Sequence, residues 1–195
     1  MKITVIGCGR WGSFIAWLFD RLHHEVTLYG RENSASMQRW IRERRNDLIE
    51  LPASVSLSTE LSCMTEAEVV VISVGAQDLR ALMGEIALLS PKNKIFVLCM
   101  KGLEMPHGER LSVVASEFLD PSNRIAIWVG PGHVQEFYRG IPNCMVIDSE
   151  DEETKHLLVD AFSGGIIRFY YGSDMLGNEI GAASKNVIGI AAGFL

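Results

Sequence analysis

Residues 3–12 read ITVIGCGRWG, a short β-branched run that leads directly into a glycine-rich turn. β-branched residues favour strands, and the periodic apolar residues between Trp11 and Leu22 predict a helix after the turn. A second strand pattern follows at Glu25–Tyr29. The start of the chain therefore predicts a strand, a helix and a second strand, which is the opening unit of a sheet covered by helices.

Further apolar runs alternate with helix-like stretches along the rest of the chain. Strands are predicted at Val69–Val74, Lys94–Cys99, Arg124–Val129, Cys144–Ile147 and Ile166–Tyr171. Helices are predicted near Ser36–Ile49, Gln77–Leu89, Glu109–Phe118 and Glu152–Phe162. Several strand runs are apolar throughout, as expected of a sheet buried on both faces. The alternation predicts a doubly wound, mostly parallel α/β sheet of the Rossmann-like class.

Composition restricts the classes of protein to which the chain can belong. With 195 residues, of which 48% are hydrophobic and 22% charged, it can bury a core without disulfide or metal staples. The net charge of -6 gives no overall attraction for nucleic acid or an anionic membrane surface. No apolar stretch is long enough to span a bilayer, and the four cysteines lack zinc or redox-motif spacing. The early strand at Ile3–Ile6 leaves no room for a signal peptide, so a cytoplasmic protein is expected.

The turn at residues 7–12, GCGRWG, fits the G-x-G-x-x-G pattern of dinucleotide-binding proteins. Gly7 would allow the tight turn, Gly9 would let the backbone approach a pyrophosphate, and Gly12 would let the helix pack against the strand. The alternative is an ordinary β–α turn rich in glycine. The place of the GCGRWG turn between a predicted strand and a predicted helix favours the binding of a dinucleotide at the helix N-terminus.

The end of the second strand bears on which dinucleotide would bind. An NAD-specific site usually has a carboxylate there, which accepts hydrogen bonds from the ribose hydroxyls. Gly30 stands at that position and Arg31 follows it, and a guanidinium suits a 2′-phosphate and an adenine face. NADP is therefore favoured over NAD. Glu32 remains the alternative ribose acid if the strand ends two residues later.

Two later loops also follow predicted strands, at the edge where such sheets bind ligands. Lys101 comes after the strand that ends at Cys99, and its ammonium suits an anionic ligand, although a surface lysine is the simpler interpretation. Gly130 and Gly132 form a second turn whose backbone N–H groups suit an anion. His133 is interpreted as a residue of the first helical turn rather than an acid–base group.

The helix predicted near the end of the chain carries a stripe of glycines with one lysine in it. Gly177, Gly181, Lys185, Gly189 and Gly193 recur every four residues, and four helical glycines cost about 4 kcal/mol relative to alanine. Close approach of a backbone or a ligand would offset that cost and leave the lysine partly desolvated. Desolvation lowers the pKa of an amine toward the range of acid–base catalysis. A lysine that extends along a packing helix is the alternative.

Four segments together resemble bacterial NAD(P)-dependent glycerol-3-phosphate dehydrogenase: GCGRWGS from residue 7, KGLE from 101, GPGHVQE from 130 and NEIGAASKNVIGIAAG from 178. The resemblance implies reversible reduction of dihydroxyacetone phosphate to sn-glycerol 3-phosphate, a step that supplies the phospholipid backbone. It also implies two domains. Residues 1–173 would be the dinucleotide-binding domain and residues 174–195 the start of a helical substrate domain. The apolar, uncapped end of the chain agrees with a missing second domain.

The resemblance also implies roles for individual residues. Positions that contact the dinucleotide in the family fall on Arg10, Trp11, Arg31, Lys101 and Val134. Positions that contact or orient the substrate fall on Lys101, Gly130, Gly132, Lys185 and Asn186. Lys185 matches the general acid/base that would protonate the alkoxide formed by hydride transfer. Two departures are visible, because Arg10 replaces a small or polar residue and Gly132 stands where a hydroxyl is usual.

Two alternatives stay open. One is another reductase of the same superfamily, acting on a compound such as 6-phosphogluconate or ketopantoate. The other is a dinucleotide-binding module without catalytic activity. The expected partner is a small phosphorylated substrate, with no nucleic acid and no membrane span. The sequence leaves the oligomeric state open, a homodimer of the full-length protein included.

Overall fold

An eight-stranded sheet with helices on both faces forms the body of the molecule, and a computed structural model describes residues 1–194 of it. The strands are β1 Lys2–Ile6, β2 Glu25–Tyr29, β3 Ser56–Ser58, β4 Val69–Ile72, β5 Ile95–Leu98, β6 Leu103–Glu104, β7 Glu109–Arg110, β8 Arg124–Val129, β9 Asn143–Ser149 and β10 Ile167–Tyr171. The helices are α1 Arg10–Arg21, α2 Ala35–Glu43, α3 Leu79–Ala87, α4 Leu111–Ser116, α5 Val134–Tyr138, α6 Glu152–Phe162 and α7 Met175–Ala192. Short 3₁₀ turns lie at Leu61–Glu66 and Ala76–Asp78, and β6 and β7 form a separate antiparallel pair.

The order of strands in the sheet is β10-β9-β8-β5-β4-β1-β2-β3. Pairing is parallel from β3 to β8, antiparallel between β8 and β9, and parallel again between β9 and β10. From β1 the chain first builds outward to β3 and then returns to build on the other side with β4. Open sheets bind ligands at such a reversal, beyond the carboxyl ends of the strands. The prediction of a doubly wound, mostly parallel sheet is confirmed.

Both faces of the sheet are buried, as the apolar strand runs predict. All four residues of β4, VVVI, are buried. One face packs against α1, α2, α5 and α6, whereas the other packs against α3, α4 and the first turns of α7. A cluster of aromatic rings fills the first layer, and Phe14, Phe19, Trp128 and Phe162 are fully buried within it. The core therefore holds the strand ends in fixed positions below the candidate site.

Most element predictions are confirmed to within two residues, but the helix predicted at Ser36–Ile49 is wrong beyond Glu43. Arg44 takes a left-handed conformation with a φ of 51° and ends α2. Its guanidinium donates hydrogen bonds to the carbonyl groups of three residues between positions 51 and 55. These bonds fix a turn where the sequence pattern suggested more helix.

Three smaller differences come from local pairing. The helix predicted at Glu109–Phe118 is limited to α4, because its first two residues pair with β6 as strand β7. The helix predicted at Gln77–Leu89 begins as a 3₁₀ turn before α3. Strand β3 was not predicted, and it forms by pairing with β2 at the edge of the sheet. Among the described residues, no helix combines the length and apolar character needed to cross a membrane.

Candidate functional site

The glycine turn leads from the carboxyl end of β1 into the amino end of α1. Gly7 has a φ of +112°, and a Cβ there would overlap the carbonyl group of Ser73. A Cβ on Gly12 would overlap the carbonyl oxygen of Gly7. A Cβ on Gly9, in contrast, would meet nothing within 4 Å, and no side chain caps the N–H groups of α1. The turn is therefore packed tightly at Gly7 and Gly12 and open at Gly9, where the first N–H groups of α1 are available to an anionic ligand.

Two clefts meet at this turn. One, of about 560 Å³, lies between the turn and the ends of β5 and β8, and we call it the β5/β8 cleft. The other, of about 420 Å³, lies over the end of β2, and we call it the β2 cleft. Gly9, Ser73 and Val74 line both of them. A ligand with two halves joined by a phosphate bridge can therefore cross the turn with one half in each cleft.

Polar groups line the outer wall of the β2 cleft. Arg31, Asn33, Ser34 and Ser36 belong to this wall. The Arg31 side chain is exposed, and its guanidinium lies 3.7 Å from the carboxylate of Glu85 on α3. Ser34 caps α2, so the amino end of that helix also opens near the cleft. A cation, hydroxyls and an amide are groups that bind phosphate oxygens.

Glu32, the alternative ribose acid, lies three residues beyond the end of β2 at Tyr29. Its side chain is exposed, and it is absent from the residues that line the described β2 cleft. Its backbone carbonyl accepts a hydrogen bond of 2.7 Å from the side-chain amide of Gln38. Gly30 and Arg31 do line the cleft, and their assignment to the ribose end stays a prediction.

Lys101 lies at the rim of the β5/β8 cleft, directly after β5. Its Nζ donates a hydrogen bond of 2.7 Å to the carbonyl oxygen of Gly130. Partial desolvation, and next the repulsion from the Lys185 ammonium, lower the pKa of Lys101. The Lys185 ammonium therefore lies near enough for its charge to act on Lys101, although Lys185 is not among the residues that line the described cleft.

Aromatic rings form the floor of the β5/β8 cleft. The Trp11 ring stacks on Phe14 with centroids 5.4 Å apart and meets the edge of Trp128 at 5.8 Å. A Cβ on Gly132 would lie 2.6 Å from the Phe137 ring. Packing of that ring, rather than contact with a ligand, therefore suffices to explain why glycine stands at 132.

The residues around α5 complete the wall of this cleft. Val134 is buried and lines the cleft, and His133 is exposed one residue before α5. The carbonyl oxygen of His133 accepts hydrogen bonds from two N–H groups of α5. Gly130 has a φ of +147° and lies against Met145. Arg10 is exposed at the cleft entrance, beside the glycine turn.

Buried polar contacts fix the first half of α7 to the sheet. The buried carboxylate of Glu179 accepts hydrogen bonds from the N–H and hydroxyl of Ser112 and from the Arg110 guanidinium. Asn178 donates a hydrogen bond of 2.7 Å to the buried Asp148 on β9. These anchors lie about two turns before Lys185 along the helix, so they fix the part of α7 from which Lys185 extends.

The expected shelter around Lys185 is wrong for residues 1–194, because Lys185 and the neighbouring Asn186 are exposed. The glycine stripe does not pack either, since a Cβ on Gly181 or Gly189 would meet nothing within 4 Å in the described structure. The glycine at position 177 is explained by a local contact, because a Cβ there would overlap the Asp174 carboxylate that caps α7. After Lys185 the helix exposes the apolar side chains of Val187, Ile188 and Ile190, and Phe194 is exposed just beyond its end.

Several lining residues carry no sequence signal. Ser73, Val74, Met100, Trp128 and Met145 line the β5/β8 cleft, yet none belongs to a recognisable motif. Their one common feature is position, since most of them stand at or just beyond the carboxyl end of a strand. The rule that such sheets bind ligands at these ends could have found Ser73, Val74 and Met100.

Comparison with known proteins agrees with this arrangement. A family model described as NAD-dependent glycerol-3-phosphate dehydrogenase N-terminus matches residues 2–155. Glycerol-3-phosphate dehydrogenase [NAD(P)+] of Thermoanaerobacter sp. (strain X514) is 34% identical over 197 residues, a match that covers 99% of this chain and 59% of the relative. The enzyme of the same name from Brucella ovis is 35% identical, and the match covers 98% of this chain and 60% of the relative. The chain therefore spans about three fifths of the length of these curated relatives.

A solved structure of glycerol-3-phosphate dehydrogenase from Coxiella burnetii superposes with a TM-score of 0.88 at 21% identity. The superposition covers 98% of this chain and 60% of that one. At that identity the likeness is evidence for the fold, and it agrees with the strand order described above.

Proposed function

Because the chain belongs to the family described as NAD-dependent glycerol-3-phosphate dehydrogenase N-terminus, we propose that it binds NAD(P)H across the glycine turn. We propose further that the protein interconverts dihydroxyacetone phosphate and sn-glycerol 3-phosphate. The observation that carries the reaction is the place of the Lys101 ammonium in the β5/β8 cleft, where it donates a hydrogen bond to the Gly130 carbonyl oxygen; Lys185 on α7 is proposed as the second cation. A phosphorylated ketone needs a cation for its phosphate and an acid for its carbonyl oxygen.

The residues of the two clefts fit the cofactor. The open space above Gly9 and the uncapped N–H groups of α1 suit a pyrophosphate. Arg31 and the hydroxyls of Ser34 and Ser36 suit a 2′-phosphate on the adenosine ribose, which favours NADP over NAD. In the β5/β8 cleft, the proposed neighbours of the nicotinamide half are Arg10, Trp11, Lys101 and Val134.

The chain's own residues account for the proton. The bound nicotinamide supplies or accepts the hydride, and Lys185 donates a proton to the carbonyl oxygen as it becomes an alkoxide. Lys101 holds the anionic substrate, while Gly130, Gly132 and Asn186 orient it. Negative charge grows on that oxygen only in the transition state, so a cation placed there accelerates the reaction more than it tightens binding. In the reverse direction, neutral Lys185 takes the proton from the hydroxyl.

The role of Lys185 is tested by comparing Lys185→Ala with the parent protein in triose phosphate reduction and in NADPH titration. General acid–base catalysis contributes about 10²- to 10⁴-fold, so kcat should fall by that factor while the Kd for NADPH changes little. Lys92→Ala, at an exposed lysine, should leave both values unchanged. An unchanged kcat in Lys185→Ala would refute the assignment. Turnover of 6-phosphogluconate or ketopantoate in place of triose phosphate would favour the other reductases of the superfamily.

Dinucleotide binding without turnover is a second candidate for residues 1–195 by themselves. The exposure of Lys185 favours it, because no wall within the described residues excludes water from its ammonium. We propose that residues 1–173 form the dinucleotide-binding domain and that residues 174–195 open a helical substrate domain. Leu195 lies outside the described residues. Calorimetric binding of NADPH together with an absence of turnover would support this second candidate.

A further inference from the structure

The Cys8 side chain fills the space next to Gly30, where β2 ends above the glycine turn. A Cβ on Gly30 would lie 2.5 Å from the Cys8 Sγ, 3.1 Å from the Cys8 Cβ and 3.0 Å from the Met37 Cβ. Real Cβ atoms essentially never come closer than 3.0 Å to such atoms. Position 30 therefore accepts no side chain while Cys8 remains where it is.

Two polar contacts and burial hold Cys8 in this place. The Trp40 indole N–H donates a buried hydrogen bond of 3.0 Å to the Cys8 carbonyl oxygen. The thiol lies 3.8 Å from the hydroxyl of Ser34, which also caps α2. Cys8 is buried, and this burial raises the pKa of its thiol. The Cys8 side chain is therefore a buried, apolar group that packs between the glycine turn and α2, and its thiol is not reactive.

Position 30 is where an NAD-selective site presents a carboxylate to the ribose hydroxyls. Any such carboxylate starts from a Cβ, and that Cβ would overlap the Cys8 sulfur. The one carboxylate that lines the described β2 cleft, Asp78, comes from the 3₁₀ turn after β4 and lies against Gly75. Among the residues that line the described β2 cleft, those that follow β2 therefore offer a guanidinium and hydroxyls and no carboxylate, although the Glu85 carboxylate on α3 lies 3.7 Å from that guanidinium.

We propose that Cys8 is a specificity-determining residue, whose side chain keeps position 30 free of a carboxylate and so selects NADPH over NADH. The inference rests on the proposed cofactor binding. A carboxylate at this position would bind the ribose hydroxyls of NADH and would repel the 2′-phosphate of NADPH. The absence of a carboxylate at position 30 therefore disfavours NADH and favours NADPH, while Arg31 attracts the 2′-phosphate.

The overlap can be measured without any ligand by thermal unfolding. Gly30→Ala should lower Tm strongly in the parent protein and much less in the Cys8→Gly background, where only the Met37 contact remains. Gly84→Ala is the matched control, because a Cβ there would find its nearest neighbour, a Phe118 ring atom, at 3.9 Å. The control should shift Tm equally in both backgrounds. Equal losses of Tm from Gly30→Ala in the two backgrounds would overturn the proposal.

Selectivity is then measured by titrating NADPH and NADH against tryptophan fluorescence. The parent protein should bind NADPH more tightly by about tenfold or more, and Cys8→Gly/Gly30→Asp should reverse that order, since a site built for one set of hydrogen bonds rejects the other ligand. A folded double variant that still prefers NADPH overturns the proposal. So does a folded Gly30→Asp single variant that binds NADH as tightly as the double variant.

Loss of cofactor binding and loss of cofactor selectivity give different results in these experiments. A parent protein that binds neither dinucleotide refutes the proposed function and the selectivity, whereas the unfolding comparison still reports whether Cys8 and position 30 compete for space. A parent protein that binds both cofactors, with NADH preferred, refutes only the role of Cys8.

Discussion

Replacing Lys155 with methionine should destabilise the fold strongly, because the lysine is part of a buried polar network. Its side chain is 5% exposed, and its Nζ donates hydrogen bonds of 2.7 Å to the Gly172 carbonyl oxygen and 2.6 Å to the Glu152 carboxylate. The same nitrogen lies 3.7 Å from the carboxylate of Asp148, which is 2% exposed. Methionine keeps most of the length of the side chain but removes the charge and the donors.

The size of the loss follows from what remains around Asp148. Breaking a buried ion pair by removing one partner costs about 3–5 kcal/mol. Asp148 still accepts hydrogen bonds from the N–H groups of Ser149 and Asp174 and from the Asn178 amide, which places the expected loss near the lower end, about 3–4 kcal/mol. At about 2–4 °C per kcal/mol for a chain of this size, Tm should fall by about 6–16 °C.

Urea and thermal unfolding followed by circular dichroism measure this loss. Lys92→Met, at an exposed lysine, is the matched control and should change stability by less than about 0.5 kcal/mol. Asp148→Asn combined with Lys155→Met should cost less than the sum of the two single variants, by about 1–3 kcal/mol, because the two groups interact directly. A loss below about 1 kcal/mol in Lys155→Met, or strict additivity, would refute the reasoning.

Three further substitutions test other parts of the structure. Gly84→Ala should raise the free energy of unfolding by about 0.5–1 kcal/mol, because it adds a Cβ in helix α3 where there is room; a loss in urea unfolding would contradict this. Gly12→Ala should cost about 3 kcal/mol and weaken NADPH binding, because its Cβ overlaps the Gly7 carbonyl; a parental Tm would contradict the overlap. Glu179→Gln should cost about 1.5–3 kcal/mol and speed amide exchange in α7, and unchanged exchange would contradict its role as an anchor.

The sheet was predictable because its strands are short, apolar and β-branched. Strands β2 and β8 and helix α6 begin and end where the sequence pattern places them. Strand β3 has no such pattern, since Ser56 and Ser58 flank a single leucine, and it exists only because β2 offers an unpaired edge. The end of α2 was unpredictable for a similar reason, because the hydrogen bonds of Arg44 reach residues that lie beyond the helix.

The candidate site also has residues that the sequence predicts and residues that it does not. The glycine turn and Lys101 carry local signals, namely a motif and a charge after a strand. The Cys8 side chain occupies the space that a Cβ at position 30 would need. These two residues are distant in sequence, and neither residue type signals the contact. The exposure of Lys185 was also beyond local reasoning, because a stripe of glycines shows that a helix can be approached closely but does not supply the partner.

The distance between the Lys101 and Lys185 ammonium groups depends on contacts that lie outside the two clefts. Glu179 and Asn178 hold the first half of α7 against α4 and β9, while Lys101 is held by the Gly130 carbonyl after β8. The two lysines therefore come from different elements, and the charge of Lys185 acts on Lys101 only when the sheet and α7 are both in place. Loss of the α7 anchors should separate the charges without altering the glycine turn.

The proposal that Lys185 acts beside Lys101 at the β5/β8 cleft is tested most directly by the pKa of Lys101, measured by NMR on protein labelled at lysine Cε. In the parent protein this pKa should lie below the usual range of lysine, from desolvation and from the charge of Lys185. In Lys185→Gln it should rise, so that binding of an anion to protonated Lys101 persists to higher pH. A Lys101 pKa that is identical in the two proteins would place Lys185 away from the cleft and contradict its role as the acid.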